Sequence, residues 1–271
     1  MKVIYSHSNK ASLSKATFQS IPSMNVLHNH NYYELYYLLD GQRSYFIDNA
    51  IYELNVGDIV IVPPNTLHRT IGDKTKIHSR ILISIPEEIL EKEIVGEYST
   101  LSKKYIFPIT AKRRPFVEEL FNRIEYETKS NDTYGPYLTK KYINEIFIFL
   151  LRAGRKNEII YIDNETDSVI GTAARYIQRN FNRQVSLREV ADMLGMDRTY
   201  FCKLFRNKAG FSFSQYIKEV RIIEAARLLT ETEMSITEVA MSVGYNDSSY
   251  FAKVFKSIKG TTPLAFRKIR N

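Results

Sequence analysis

The last third of this chain contains one unit twice, and that repeat limits the folds open to the chain more than any other feature. Ser186–Gly195 and Ser235–Gly244 share a serine, a Glu-Val-Ala triplet and a glycine at an offset of 49 residues. Beyond the glycine the offset becomes 50, and Tyr200-Phe201 then matches Tyr250-Phe251. Two copies are too few for a solenoid, which needs three or more. The repeat therefore predicts a duplicated supersecondary motif.

Each copy has the pattern of a helix, a tight turn and a second helix. Ser186 with Glu189 is a capping box, which marks a helix start, and the second copy repeats it. Glycine ends each first helix, and an aspartate then stands where the second helix needs an N-cap. Phenylalanines recur at i and i+4 in each second helix and are predicted to be core: Phe201, Phe205, Phe251 and Phe255. The pattern predicts helix-turn-helix motifs at 186–207 and 235–257.

The second helix of such a motif can enter the major groove of DNA and present its outward side chains to base edges. In the first copy the outward side chains are Arg198, Thr199, Cys202, Lys203 and Arg206. In the second copy they are Ser248, Ser249, Ala252, Lys253 and Lys256, with Tyr250 near the edge. A helix predicted over 213–229 joins the copies and spans about 27 Å. That length would set the two outward faces about one DNA turn apart, roughly 34 Å.

The distribution of charge agrees with a polyanionic partner for the same region. The formal net charge is +8. Residues 167–271 hold 17 of the 38 lysines and arginines but only 10 of the 30 acidic residues. Almost all of the excess positive charge therefore lies with the repeat, as expected of a segment that contacts nucleic acid.

The second copy carries a long signature. It comprises Ile236–Tyr245, Ser249–Lys256, Gly260–Pro263 and Phe266-Arg267. The region from about 170 to 270 resembles the DNA-binding domain of AraC/XylS-type regulators. The resemblance implies that bases are read by Thr199, Cys202 and Lys203 in the first copy and by Ser249, Tyr250 and Lys253 in the second. Cys202 departs from the polar residues usual at its position, so readout by the first copy rests mainly on Lys203 and Arg206.

The N-terminal part is predicted to be a small β-barrel or jelly roll. Residues 24–86 contain short runs rich in β-branched and aromatic residues, with turn signals such as Asp40-Gly41 and Asp48-Asn49 between them. The predicted strands are Tyr32–Leu39, Arg43–Asp48, Ala50–Leu54, Asp58–Pro63 and Ile77–Ile85. Many short strands without a helical period are typical of such folds.

Two segments of this part resemble the motifs of the cupin barrel, the usual sensory domain of AraC-type regulators. They contain His28, His30 and Glu34 before Gly41, and His68 five residues after Pro63. Alternate residues of a strand share a face, so these side chains can all point into the barrel.

Two interpretations of this set stay open. Three imidazoles and one carboxylate could bind manganese, iron, nickel or zinc. The same side chains could instead line a metal-free pocket for a small polar ligand, and the family resemblance favours this pocket, so no cofactor is expected. Tyr36 and Arg43 are further pocket candidates, and a sugar is the expected ligand, because aromatic and polar side chains suit a sugar ring.

The middle of the chain is predicted to be helical. A short helix starts at Pro86 and runs through Ile94, and amphipathic helices follow at Pro115–Lys129 and Tyr137–Arg152. We expect this hairpin of helices to form a dimer interface, the alternative being that it packs against the barrel.

The sequence therefore predicts an α+β multidomain protein. The expected domains are a cupin-like barrel at 1–86, a helical dimerisation segment at 87–153, a linker at 154–167 and an all-α domain with both helix-turn-helix motifs at 168–271. A single cysteine and no signal-peptide pattern indicate a cytoplasmic protein without membrane association.

The expected function is a ligand-responsive transcription regulator, an activator of a carbohydrate or small-metabolite operon and not an enzyme. Its expected partners are double-stranded DNA, a small effector and a second copy of the chain, with RNA polymerase a further candidate. The alternatives are a cupin metalloenzyme with a DNA-binding tail and a constitutive dimeric regulator without an effector.

Overall fold

The structure is a computed structural model that describes residues 10–18, 27–71, 77–100, 105–130, 132–155 and 169–270. The chain divides into two compact units, one formed mainly by residues 29–165 and the other mainly by residues 166–271. Nearly all of the linker predicted at 154–167 lies outside the described residues. Among the described helices, none combines the length and the apolar character needed to cross a bilayer.

The N-terminal unit contains two antiparallel sheets. The five-stranded sheet has the order β1-β7-β2-β5-β8, and the three-stranded sheet has the order β4-β3-β6. The strands are β1 (Ser12–Phe18), β2 (Tyr33–Asp40), β3 (Arg43–Ile47), β4 (Ala50–Leu54), β5 (Asp58–Val62), β6 (His68–Ile71), β7 (His78–Ile85) and β8 (Ile106–Pro108). Positive φ angles at Gly41, Asp48 and Asn49 form the tight hairpin turns that the sequence predicted.

Both faces of the central strand β2 are buried, and they serve different layers. Leu35 and Tyr37 join a core shared with the helices of this unit. Tyr36 and Leu38 belong to a second core, between the two sheets, together with Tyr45 from β3. Because side chains alternate along a strand, Glu34 shares the inner face with Tyr36. The polar residues of the inner face are therefore enclosed between two sheets.

Helices cover the outer face of the five-stranded sheet. They are α1 (Lys92–Thr100), α2 (Arg114–Lys129) and α3 (Gly135–Arg155). The predicted short helix from Pro86 to Ile94 is wrong, because a 3-10 turn occupies Glu87–Ile89 and extended backbone at Leu90 separates that turn from α1. The buried sides of α2 and α3 pack on the sheet, so the predicted helical hairpin does cover the sheet with one face.

The C-terminal unit is helical throughout its described part. Its helices are α4 (Val169–Asn180), α5 (Leu187–Met193), α6 (Arg198–Ala209), α7 (Phe213–Glu231), α8 (Ile236–Ser242), α9 (Ser248–Lys259) and α10 (Pro263–Arg270). Both predicted capping boxes are present, at the starts of α5 and α8. The pairs α5–α6 and α8–α9 are the two predicted helix-turn-helix motifs.

The long helix α7 packs against both motifs. Near its start, Tyr216 lies against Phe205 of α6, with ring centroids 6.0 Å apart. Near its end, Ala225 and Leu229 share a buried core with α8 and α9. Because α7 contributes to both cores, it fixes the position of one motif relative to the other.

Candidate nucleic-acid interface and buried polar pocket

The second helix of the first motif, α6, has one buried and one exposed face. The Asp197 side chain caps it by accepting hydrogen bonds from the backbone N–H groups of Thr199 and Tyr200, each at 2.9 Å. Phe201 and Phe205 are fully buried against the core of the motif. The side chains predicted to face DNA are all exposed: Arg198, Thr199, Cys202, Lys203 and Arg206.

The second helix of the second motif, α9, repeats this geometry. Asp247 caps it through the N–H groups of Ser249 and Tyr250, at 2.7 and 3.0 Å. Ser249, Tyr250, Lys253 and Lys256 are exposed, and Ser248 is half-buried. The Tyr250 ring lies 6.0 Å from that of the buried Tyr245, which orients it at the edge of the exposed face. Each motif thus presents a capped helix with cationic side chains to solvent.

Arg221 on α7 is a positioning residue that the sequence did not reveal. Its Nε donates a hydrogen bond to the carbonyl of Phe181, and its Nη2 donates to the carbonyl of Arg183, both at 2.8 Å. Its guanidinium also lies 5.3 Å from the centre of the Tyr245 ring, in the turn of the second motif. Arg221 therefore joins the segment before α5 to the turn between α8 and α9. No local sequence pattern signals a contact over such separations.

A cluster of buried polar side chains, which we call the buried polar pocket, lies between the two sheets of the N-terminal unit and is arranged around Glu34. The Tyr45 hydroxyl donates a hydrogen bond to Glu34 Oε1 at 3.2 Å. His30 Nε2 lies 3.6 Å from Glu34 Oε2, and His68 Nε2 lies 3.8 Å from Oε1. Burial acts to raise the pKa of Glu34, but the His30 and His68 imidazoles outweigh burial and hold that pKa well below its usual value.

Backbone carbonyls set the orientation of both imidazoles. His30 Nδ1 lies 2.8 Å from the carbonyl oxygen of Tyr32, and His68 Nδ1 lies 2.8 Å from that of Thr66. A carbonyl can only accept, so each Nδ1 carries the hydrogen and each Nε2 is directed at Glu34. This is the orientation that a metal-binding histidine usually has.

The ligand atoms that the histidines and Glu34 offer are of the types that bind transition-metal ions. One ligand atom from each of His28, His30, Glu34 and His68 can be chosen so that all lie within 4.8 Å of one another. Imidazole nitrogens with one carboxylate suit zinc, manganese, iron or nickel. These four residues would hold the ion, and it would supply a Lewis acid at the pocket. The metal and the metal-free interpretations both remain compatible with this geometry.

Two arginines lie on the inner face beside this cluster. Arg43 comes from β3, and Arg80 comes from β7, where it pairs with Leu38 of β2. The Arg80 guanidinium lies 6.0 Å from the centre of the Tyr36 ring, and Arg43 lies beside the Tyr36 hydroxyl. Burial raises the pKa of Tyr36 to about 12, although both arginines act to lower it.

Tyr36 and Arg43 were predicted from the sequence as pocket residues, whereas Arg80 and His78 of β7 were missed. A signal for both was available. Ile81, Ile83 and Ile85 alternate along β7 and face the helices, so the residues between and before them must face inward.

His78 gives a prediction for the pH dependence of stability. Burial, together with the charges of Arg43 and Arg80, lowers the pKa of His78 to about 4. An unfolded histidine titrates near about 6.5. Between these two pH values the unfolded chain is protonated at His78 and the folded chain is not. The free energy of unfolding should therefore fall as the pH drops from about 6.5 to about 4.

Thermal unfolding of the His78→Gln variant should show a flatter dependence of the midpoint on pH across this window than the unchanged chain. Glu34 stays ionised within the window, because its pKa lies well below the usual value. Equal slopes for the two proteins would show that His78 is not the group that titrates.

A surface groove lies on the helices of the same unit, away from the sheets. It has a volume of about 300 Å³ and is lined by Arg113, Phe116, Glu145, Ile148, Phe149, Arg152 and Ala153. The rings of Phe116 and Phe149 are 5.4 Å apart, and the Arg113 guanidinium lies 5.9 Å from the centre of the Phe149 ring. Phe116 is 43% exposed and Ile148 is 38% exposed. An apolar floor with charged edges is typical of a protein-binding surface.

Two family models match the chain. Residues 23–131 match the AraC-like ligand binding domain, and residues 190–269 match a helix-turn-helix domain. Together the two matches cover more than half of the chain, and they contain the buried polar pocket and most of the repeat.

Known proteins with similar sequences include two regulators matched over most of their length. The HTH-type transcriptional activator RhaR of Mannheimia succiniciproducens is 22% identical over 243 residues, which covers 89% of this chain and 86% of that protein. The Msm operon regulatory protein of Streptococcus mutans is 22% identical over 236 residues, covering 87% of this chain and 84% of that protein. Among solved structures, the C-terminal domain of AraT, a response regulator from Geobacillus stearothermophilus, is 32% identical, with a TM-score of 0.38, and covers 39% of this chain and 88% of that one.

Proposed function

The chain belongs to the AraC family of transcription regulators, and from this we propose that it activates a carbohydrate or small-metabolite operon in response to a small molecule. In this proposal α6 and α9 read DNA, and the buried polar pocket binds the effector. We assign residues 1–86 to sensing, 87–153 to dimerisation, 154–167 to a linker and 168–271 to DNA binding. An activator of this kind would also contact RNA polymerase.

The observation that carries the DNA-reading role is the duplicated, capped helix with exposed cations. The two capping aspartates hold α6 and α9 in the same way. Fully buried phenylalanines hold one face of each helix against the core, so the opposite face of α6 and of α9 is exposed to solvent. Exposed lysine and arginine contribute most of the affinity for phosphates and, as bidentate donors, recognise guanine.

Genomic DNA from the source organism, sheared and passed over the immobilised chain, tests this role. We expect a small set of fragments sharing one motif to be retained at physiological salt. Retention without a shared motif would contradict sequence-specific reading. The genes next to retained fragments would identify the class of metabolite.

We assign dimer formation to the groove on α2 and α3. Its floor of Phe116, Ile148 and Phe149 is apolar, while Arg152 and Glu145 carry opposite charges at its edge. In a two-fold symmetric dimer the same patch of both subunits forms the interface, so a residue of one subunit contacts a different residue of the other, and the reverse contact is also made. A patch that carries both a positive and a negative charge can therefore pair with its own copy. A second copy of the chain is therefore the occupant that this surface fits best.

Ile148→Glu should weaken the dimer at least tenfold, because it places a charge on the apolar floor, where it must be desolvated. Sedimentation velocity across a concentration series measures the dimer dissociation constant. Tyr126→Glu is the matched control, since Tyr126 of α2 is, like Ile148 of α3, a large exposed hydrophobic residue, but it does not line the groove. Equal effects of the two substitutions would place the dimer interface elsewhere.

A metalloenzyme with a DNA-binding tail is the second candidate, and the geometry of His28, His30, Glu34 and His68 favours keeping it. Elemental analysis of protein purified without added metal or chelator tests it first. About one equivalent of a transition metal, with turnover of a sugar substrate, would favour the enzyme. Well under one equivalent would contradict it.

A further inference from the structure

The two inward arginines narrow the chemistry of the effector. We propose that the buried polar pocket binds a small organic anion, whose carboxylate or phosphate group pairs with Arg43 and Arg80. This inference rests on the proposed sensory role and adds a charge requirement, because a neutral sugar would not meet it.

Arg43 is the first observation that supports an anion. It is 8% exposed, and its Nε is buried without a hydrogen-bond partner in the part of the chain that the structure describes. A buried guanidinium is costly unless its donors and its charge are compensated. The planar donors of guanidinium match the two oxygens of a carboxylate or phosphate better than they match a hydroxyl.

The Glu34 carboxylate does not compensate the charge of Arg43. Glu34 acts electrostatically on Tyr36 and Tyr45, but its oxygens lie against His30, His68 and the Tyr45 hydroxyl. Arg43 makes no ion pair with Glu34 or with any other described carboxylate. The pocket therefore has one end organised around a carboxylate and another end with concentrated positive charge.

Four side chains on three strands converge at the positive end. Arg43 lies on β3, Arg80 and His78 lie on β7, and Tyr36 lies on β2. The Arg80 guanidinium lies 6.0 Å from the centre of the Tyr36 ring, and the charges of both arginines act on Tyr36 and His78. Arg80 is half-buried whereas Arg43 is buried, so the positive end extends from the surface to the interior. An anion could reach Arg43 by way of Arg80.

The rest of the ligand would face the opposite end of the pocket. Tyr45 links the two ends, since its hydroxyl contacts Glu34 and its ring lies 5.1 Å from that of Tyr36. Carboxylate, imidazole and phenol groups recognise hydroxyls well. An acid or phosphate ester that also carries hydroxyl groups matches both ends, whereas a neutral polyol leaves the buried Nε of Arg43 without an anionic acceptor.

Thermal unfolding of the full chain, at constant ionic strength adjusted with chloride, tests the inference. The probes are inorganic phosphate, glucose 6-phosphate and the matched pairs glucose with glucuronate and galactose with galacturonate. Binding to the folded state raises the unfolding midpoint, by several degrees near saturation. We expect a rise with at least one anionic probe and none with the neutral sugars. A larger rise with glucuronate or galacturonate identifies a carboxylate ligand, and a larger rise with the phosphates identifies a phosphate ester.

Arg43→Met keeps the length of the side chain without its charge, and it should abolish the rise. Lys256→Met is the matched control, because it removes an exposed cation from α9 that could also attract anions, and it should retain the rise. Arg80→Met should likewise abolish the rise of the unfolding midpoint. If Arg43→Met does not unfold cooperatively, the result for Arg80→Met tests the inference in its place.

Three results would overturn the inference. They are no shift with any anionic probe, an unchanged shift in the arginine variants, and equal shifts for each sugar and its acid. Specific retention of genomic fragments is measured separately. A chain that retains such fragments but shows no anion response would contradict this inference and leave the DNA-reading role standing.

Discussion

Gly244→Ala should destabilise the C-terminal unit by about 2–4 kcal/mol, whereas Gly195→Ala, the equivalent change in the first motif, should cost about 1–2 kcal/mol. Both glycines have positive φ, +85° and +65°, which an alanine adopts only with strain. Only Gly244 is also packed. A Cβ there would lie 2.9 Å from the carbonyl oxygens of Phe181 and Asn182 and from Arg221 Nη2.

The first motif provides the control for this prediction. A Cβ on Gly195 would meet nothing within 4 Å among the described residues. Chemical unfolding of the two variants, followed by far-ultraviolet circular dichroism, compares backbone strain alone with strain plus collision. Equal losses of unfolding free energy would mean that the contact between the second turn and the 181–183 segment does not form.

The consequence for function follows from the same contact. Arg221 binds the carbonyls of Phe181 and Arg183 and lies over Tyr245, so the Gly244 turn belongs to the packing that fixes the second motif against α7. Gly244→Ala should therefore also lower the affinity for specific DNA, even though Gly244 does not lie on the DNA-reading face.

Lys253→Ala should reduce discrimination between the specific site and random DNA by about 1–3 kcal/mol, if Lys253 donates to guanine. Lys253 is exposed on α9 one turn beyond Ser249, and the α9 N-cap fixes the start of the helix. Lys256→Ala should instead weaken specific and random DNA alike and reduce the slope of log affinity against log salt by about 1, as expected for a lost phosphate contact.

Fluorescence anisotropy with a retained genomic fragment and a scrambled fragment, across a salt series, separates these two roles. Lys92→Ala is the control, because Lys92 is an exposed lysine of α1 in the N-terminal unit. Equal losses on both fragments for Lys253→Ala would refute its assignment as a base reader. A change of specificity in Lys256→Ala would refute the phosphate assignment.

Both helix-turn-helix motifs and the helix between them could be predicted from sequence, because their determinants are local, whereas α4 was not predicted. Capping boxes, the aspartates that start α6 and α9, and the glycines in the turns act within a few residues of their own position. The AraC-type identity predicted from the second motif is confirmed by the family matches. The positioning role of Arg221 was not predicted, because it contacts a segment about 40 residues away in sequence.

The N-terminal unit was harder to predict from sequence, because some of its strands depend on pairing with distant segments. Five strands and their turns were predicted correctly to within a residue or so, but β1, β6 and β8 were missed. β1 is a polar edge strand that pairs with β7, and β8 is only three residues long. Such strands exist because a neighbour pairs with them, and their own sequences carry little signal.

The pocket shows the same division. His30, Glu34 and His68 meet as predicted, although His30 lies before the start of β2 and not on a strand. Tyr36 of β2 and Arg43 of β3 lie on the inner faces of the two sheets. Arg80 and His78 were missed because the apolar alternation of β7 was not extended to its inward residues. With Arg80 and His78 added, we propose an anionic effector, where the sequence alone led us to expect a sugar.

We propose that one chain reads two successive major grooves with two unequal motifs. Base-resolved footprinting of the unchanged chain, Lys203→Ala and Lys253→Ala on a retained genomic fragment tests it most directly. We predict that the two variants lose protection at separate positions about 10 base pairs apart, and that the loss is greater for Lys253→Ala. Loss at the same base pairs in both variants, or no sequence-specific footprint with the unchanged chain, would contradict the account.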